Sequence, residues 1–235
     1  MTSNSSNKIG HVAIIMDGNS RWARQRNLKT IEGHRQGVNR LRDIVEYSAK
    51  SEITHLSVFA FSSENWKRSA SDVSDLMKLF LQSIIKEVPE LIENKVQLNF
   101  IGDIPRFSKS LVSQINSAMK DTQAKKPNLN LNVAISYGGR WDILNAIKRM
   151  KDHKINIDKL NEDDFSNLLS TSNFPDPDLL IRTGDEIRIS NFFLWQISYS
   201  ELYFSEITYG TDFKLSNFKF ALNKFSARDR RFGKE

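Results

Sequence analysis

The sequence predicts an α/β fold, a single domain whose central, mostly parallel sheet is flanked by helices. Three observations carry that expectation. Short continuous apolar runs alternate with longer stretches of helical periodicity, the pattern of strands covered by helices on both faces. The chain has 235 residues, 39% hydrophobic and 26% charged, an ordinary globular composition with enough length for a full core. No repeat, low-complexity tract or Gly/Ser linker divides it.

The elements follow in order. Residues 1–8 (MTSNSSNK) are a polar tail expected to be disordered, and residues 9–235 form the domain. His11–Met16 (HVAIIM) reads as a buried strand. Gly37–Lys50 places Val38, Leu41, Ile44, Val45 and Ala49 on one helical face, and Leu56–Phe61 is the next strand. Over Asp72–Glu93, Val73, Leu76, Met77, Phe80, Leu81, Ile84, Ile85 and Val88 recur at helical spacing, with capping residues around Ser71–Ser74. Val96–Ile101 alternates as a strand; Ser110–Gln123 reads as a helix, Leu129–Ile135 as a strand and Trp141–Lys151 as a helix. Phe165–Leu169 suits a short helix, Leu179–Ile181 a short buried strand and Asn217–Phe225 a last helix before a basic tail, Arg228–Lys234. Pro127 and the Pro175–Pro177 pair mark loops.

Composition narrows the function classes. Thirty-four Lys+Arg against 28 Asp+Glu leave a net charge of +6, which favours anionic partners such as phosphates, nucleic acid or a membrane surface. The absence of cysteine excludes a disulfide scaffold, a cysteine nucleophile and thiolate metal sites. The longest apolar runs, Val12–Met16 and Phe192–Trp195, fall far short of the about 20 residues of a membrane-crossing helix. A soluble, cytoplasmic protein is expected.

Three clusters carry the chemistry. Asp17-Gly18-Asn19-Ser20-Arg21-Trp22 directly follows the first strand, where open α/β sheets bind ligands. Gly18 permits a tight turn, Arg21 and free N–H groups suit phosphate, and Asp17 suits Mg²⁺ bridging carboxylate to phosphate. A plain Asp-Gly turn with a solvated arginine fits the same residues. The second cluster, Ser62-Ser63-Glu64-Asn65-Trp66-Lys67-Arg68, again follows a strand. Asn65 could orient a proton acceptor and Arg68 could grip phosphate; a helix cap with an anchoring Trp66 fits equally. In the third, Arg182, Arg188, Ile189 and Ser190 lie on a strand end and the stretch after it. They suit a diphosphate, or ion pairs of Arg182 with Asp185 and Arg188 with Glu186. Glu201 lies in an aromatic stretch, where a buried carboxylate needs a partner or metal. His34 opens the first long helix, as a phosphate donor or a simple cap. No G-x-G-x-x-G, P-loop, zinc spacing or G-x-S-x-G elbow is present. The clusters together point to a phosphorylated ligand held with a divalent cation.

HVAIIMDGNSRWA, GHRQG, FAFSSENWKR, SYGGRWDI, DLLIRTG, RISNFFLWQISYSELYF and the terminal Arg230–Gly233, in this order from His11 to Gly233, resemble the cis-prenyltransferase family, in particular its bacterial undecaprenyl diphosphate synthases. The resemblance implies an Mg²⁺-dependent transferase that condenses isopentenyl diphosphate in cis onto an allylic diphosphate such as farnesyl diphosphate, making a polyprenyl diphosphate for cell-wall synthesis. It implies Asp17 as the catalytic carboxylate and metal ligand. Gly18, Asn19, Ser20, Arg21 and Trp22, with His34 and Arg68, would sit around the allylic diphosphate. Arg182, Arg188, Ile189 and Ser190 would hold isopentenyl diphosphate. Asn65 would assist proton removal, Ser62, Ser63, Glu64 and Trp66 would shape the site, and Glu201 would complete the metal environment. It also implies an apolar tunnel beside the sheet, walled by the Val73–Val88 helix, a homodimer to which Trp195–Phe204 contributes, and transient peripheral membrane contact at product release.

The chain departs from the family pattern at four places. Ser20 replaces a frequent glycine, Thr30 a phosphate-binding arginine for which Lys29 could compensate, and Asp185 and Ile187 a glycine and a histidine near the metal. Two other readings remain at this stage: a non-catalytic partner subunit of the same fold, from which Asp17, Asn65 and the arginine pair argue away, and a basic nucleic-acid-binding protein, which would show a steep salt dependence. No nucleic-acid partner is expected, because the acids interleaved with these arginines break up a basic stripe.

Overall fold

His11–Ile15 forms β1, every residue of it buried, as its unbroken apolar run requires. A computed structural model of the chain describes residues 8–228; residues 1–7 of the polar tail, the Arg230–Gly233 motif and the basic tail beyond Arg228 lie outside them. β1 leads into a short helix α1 (Asn19–Gln25) and a long one, α2 (Thr30–Ala49). Then come β2 (His55–Ser62), a 3₁₀ turn over Ser63–Lys67, α3 (Ala70–Glu93), β3 (Val96–Ile101), α4 (Lys109–Asp121), β4 (Leu129–Tyr137) and α5 (Gly139–Asp152). The chain closes with α6 (Glu162–Ser166), β5 (Leu179–Arg182), β6 (Glu201–Phe204) and α7 (Leu215–Ser226).

The six strands form one sheet in the order β3-β4-β2-β1-β5-β6, and every pairing is parallel. Alternate side chains feed two cores. Val12 and Ile14 of β1 join the larger one, with Ile44 of α2, Leu76 of α3, Ile115 of α4 and Phe218 of α7. Ala13 and Ile15 point to the other face, against Leu180, Phe192 and Phe193. Phe192 and Phe193 stack 4.0 Å apart, so the aromatic segment after β5 covers a face that α5 alone leaves open. Among the described residues no helix is long and apolar enough to cross a membrane.

β1 lies between β2 and β5. The chain therefore leaves β1 toward one side of the sheet and returns on its other side at β5. At such a reversal the loops beyond the strand ends splay apart and open a crevice. Asp17, Ser62 and Thr183 stand at the carboxyl ends of these three strands, so topology alone gathers the three clusters.

Several boundaries differ from the sequence expectation. α2 starts at Thr30 rather than Gly37, which puts His34 inside the helix rather than at its opening. α3 is capped by Ser69, which accepts from Asp72 N at 3.2 Å, two residues before the expected cap. α6 covers Glu162–Ser166 rather than Phe165–Leu169. α1 and β6 were not expected as regular elements; α1 is only seven residues long, too short for a periodic signal, and β6 is a four-residue edge strand with no buried residue.

Candidate active site

A cavity of about 960 Å³ opens at the ends of β1, β2 and β5, at the upper end of the roughly 300–1,000 Å³ typical of small-molecule sites. Its lining brings together Asp17, Gly18, Asn19, Ser20, Arg21, His34, Ser62, Glu64, Asn65, Arg68, Arg182, Arg188 and Ser190. The same cavity is bounded by Val38 and Leu41 of α2 and by Leu76, Leu79 and Phe80 of α3. One space thus has a charged end at the strand termini and an apolar side between two helices.

The charged end is built around Arg182. Its side chain is 3% exposed, and a buried guanidinium must be neutralised and hydrogen-bonded. Nη2 donates to Asp17 Oδ2 at 2.8 Å, and Nη1 donates to Ser190 Oγ at 2.7 Å and to the Arg188 carbonyl. Arg182 pairs with Asp17 and not with Asp185. It holds the first and third clusters in register while lining the cavity. Its Nε is buried without a partner.

Asp17 is fixed on its other side as well. Gly18 N–H donates to Asp17 Oδ1 at 2.6 Å, while Thr183 Oγ1 accepts from Asp17 N–H and donates to Asp17 C=O, both at 3.0 Å. Gly18 has φ +92°, and a Cβ there would stand 2.5 Å from the Thr208 carbonyl, so the turn that aims Asp17 admits only glycine. The Asp17 side chain remains 38% exposed, open to a ligand despite its two partners.

Arg21 donates to the Gly184 carbonyl at 2.6 Å and stands 3.6 Å from Glu186, which also pairs with Arg188. The expected Arg188–Glu186 ion pair therefore forms, and one carboxylate bridges a cation of the first cluster to a cation of the third. An anion already lies where the arms carrying Arg21 and Arg188 meet.

In the second cluster Asn65 Oδ1 accepts from Ser62 N–H at 3.0 Å, which fixes its amide at the cavity wall. His34 Nε2 bonds Ser20 Oγ at 3.2 Å. Burial, and then the adjacent Arg68 charge, push the His34 pKa down to about 4, so the ring is a neutral hydrogen-bonding group at physiological pH and not a phosphate cation. Arg24 lines the cavity and Lys29 does not; with Thr30 in the wall, Arg24 and Arg140 are the additional cations there.

Five expected residues stand outside the lining. Trp66 packs edge-on against Phe61 and donates to Ser136 Oγ at 2.9 Å, supporting the turn from behind. Trp22 lies under Arg26, Ser63 bonds Glu64, and Ile189 packs on the aromatic core. Glu201 is the largest correction. It opens β6 opposite Leu179, at the strand end away from Asp17, and pairs with Arg228. Its aromatic surroundings reflect an edge strand rather than a metal pocket. Ile187 is 83% exposed, and Asp185 takes a left-handed φ of +55° that aspartate tolerates better than most residues.

Sequence reasoning missed Arg24, Thr183, Arg140 and Asn191. The Gly138-Gly139 pair signalled the last two: a Cβ on Gly138 would stand 2.5 Å from Ser63 Oγ and 2.6 Å from Asn191 Nδ2, so this junction exists to let two loops approach.

Residues 15–233 match the family profile described as putative undecaprenyl diphosphate synthase. The chain belongs to this prenyltransferase family. It is 44% identical over 227 residues to a Legionella pneumophila protein named ditrans,polycis-undecaprenyl-diphosphate synthase, (2E,6E)-farnesyl-diphosphate specific, covering 95% of this chain and 94% of that one. Among solved structures it resembles a probable undecaprenyl diphosphate synthase from Campylobacter jejuni, with TM-score 0.82, 34% identity and coverage of 97% and 100%. It also resembles lavandulyl diphosphate synthase from Lavandula x intermedia in complex with dimethylallyl diphosphate, with TM-score 0.91, 35% identity and coverage of 96% and 98%. The resemblance seen in seven motifs thus extends over nearly the whole prenyltransferase chain.

Proposed function

We propose that this prenyltransferase condenses isopentenyl diphosphate units in cis onto farnesyl diphosphate and releases a long-chain polyprenyl diphosphate, undecaprenyl diphosphate, that serves cell-wall synthesis. The observation that carries the proposal is the two-sided cavity, with paired arginines, Asp17 and turn N–H groups at one end and α2 and α3 apolar walls along the other. A diphosphate with a long hydrocarbon tail needs both halves in one space.

In the proposed reaction the allylic C–O bond breaks and its electron pair leaves with the diphosphate. The alkene of isopentenyl diphosphate then attacks the allylic carbon, and loss of a proton regenerates an allylic diphosphate one unit longer. Arg21 and the Gly18–Ser20 turn would hold the departing group, where preorganised donors lower the barrier as charge develops. Arg188 and Ser190, steadied by Arg182, would hold the second diphosphate so that its alkene lies beside the breaking bond, the proximity contribution. Asn65, its amide fixed by Ser62, would orient the group that takes the proton. Val38, Leu41, Leu76, Leu79 and Phe80 would line the path of the growing chain, the tunnel of the sequence expectation.

Among the described residues no three His, Asp or Glu side chains gather into a metal cage. Mg²⁺ keeps several waters and is held by one or two carboxylates with substrate phosphates, and the partly exposed Asp17 carboxylate supplies one. Asp17, exposed to the cavity, would hold it; Glu201, at the far strand end, would not within this chain. When bound, Mg²⁺ would neutralise negative charge on the diphosphate. Homodimer formation and transient contact of a cytoplasmic protein with the membrane are part of the same proposal, the second because the product is a lipid.

Purified protein incubated with Mg²⁺, farnesyl diphosphate and labelled isopentenyl diphosphate should yield butanol-extractable radioactivity that migrates as long-chain polyprenyl product. The absence of any extractable product would overturn the proposal.

A further inference from the structure

After β5 the chain makes a backbone excursion unusual outside glycine: Ser190, Asn191 and Phe193 have φ of +46°, +62° and +48°. Such backbone outside glycine persists only where its surroundings fix it. Asn191 shows what does the fixing. Its Nδ2 donates to Glu64 Oε1 at 2.8 Å, its Oδ1 accepts from Arg140 N–H at 3.0 Å, and its carbonyl accepts from Gly139 N–H at 2.7 Å. One residue thereby joins the loop after β5, the turn after β2 and the start of α5. Its chain neighbour Ser190 bonds Arg182, and Glu64 is the neighbour of Asn65. Gly138 leaves the space, since a Cβ there would stand 2.6 Å from the Asn191 amide nitrogen.

We propose that Asn191 is a positioning residue for the condensation, setting the separation between the Arg188–Ser190 arm and the Asn65 turn through an amide that donates to Glu64 and accepts from Arg140. The role rests on the reading of Arg188 and Ser190 as the isopentenyl diphosphate arm. Only an amide satisfies both contacts: a carboxylate keeps the Arg140 bond but sets a second negative charge against Glu64. Glu64 is ionised in this arrangement. Partial burial works against its charge, but hydrogen bonds from Asn191, from its own backbone and from Ser63 and Ser62 outweigh that and hold its pKa below the usual value.

The test inverts the polarity of the contact. Asn191→Asp should raise KM for isopentenyl diphosphate about tenfold or more, from like charge at hydrogen-bond distance, with KM for farnesyl diphosphate and the melting temperature nearly unchanged. Adding Glu64→Gln restores a donor–acceptor pair and should bring KM to within about threefold of that of Glu64→Gln alone. Asn191→Asp with an unaltered KM, or a loss that tracks the melting temperature and that Glu64→Gln does not rescue, would overturn the role while the parent enzyme remains active. A parent protein that neither binds nor turns over isopentenyl diphosphate would overturn the functional reading and this role with it.

Discussion

Asp17 carries two duties that a single substitution confuses. It faces the cavity, and it neutralises Arg182, whose side chain is 3% exposed. Removing one partner of a buried pair costs about 3–5 kcal/mol when the remaining charge is fully shielded, and less here because Asp17 itself is 38% exposed. Asp17→Ala should therefore lower both activity and melting temperature. Asp17→Asn keeps the shape and one acceptor, for either Arg182 or Gly18 N–H, so it should lower the melting temperature less than Asp17→Ala, with turnover down on the order of 10²–10³-fold. Assays beside thermal unfolding read this directly; near-normal turnover in Asp17→Asn would remove Asp17 from the chemistry. At this scale the sequence was most legible for residues whose chemistry is local. The Asp17–Arg21 turn and Asn65 stand at strand ends, as their positions required. Arg182 was legible as important but not as buried, because its acceptors lie 165 and 8 residues away in the chain. Glu201 misled for the same reason: an acid among aromatics looks alike whether it starts an edge strand or faces a metal.

Elements with a strong period were recovered, α3 and β3 nearly to the residue, although α2 begins seven residues before the expected Gly37; elements without one were not. α3 and β3 follow from spacing alone, whereas α1 and β6 are too short to show a pattern. A polar row on the sheet was also invisible, since it depends on strand register. His11 of β1 bonds Ser57 of β2 at 2.7 Å and the Pro175 carbonyl at 2.6 Å, Asn132 of β4 donates to Ser57 at 3.2 Å, and Asn99 of β3 donates to Asn132 at 3.0 Å. Burial brings the His11 pKa down to about 4, below the 6.5 of an unfolded histidine. Below 6.5 the unfolded chain takes up a proton that the folded sheet refuses. Stability is therefore undiminished above pH 6.5 and falls between pH 6.5 and 4, by up to about 3 kcal/mol from this ring. Melting curves from pH 7 to 4.5 should drop less steeply for His11→Gln than for the parent, His34 supplying part of the remaining slope. Parallel curves would mean that His11 is not held neutral by the sheet.

Across the whole molecule, the decisive feature is that the sheet order places β1 between β2 and β5. The alternating pattern announced a parallel sheet, but the order of its strands depends on pairings between segments more than 100 residues apart, such as Val12 with Leu179, which no local signal encodes. That order turns three separate clusters into one crevice, and Arg182 and Glu186 then tie the arms together. Titration calorimetry with isopentenyl diphosphate and an unreactive farnesyl thiodiphosphate, whose allylic C–S bond resists cleavage, in the presence of Mg²⁺, tests this claim most directly. One equivalent of each ligand should bind per chain at the same time, and Arg188→Ala should weaken isopentenyl diphosphate by about tenfold or more while sparing the farnesyl analogue. Mutual displacement of the two ligands from a single site would contradict the account.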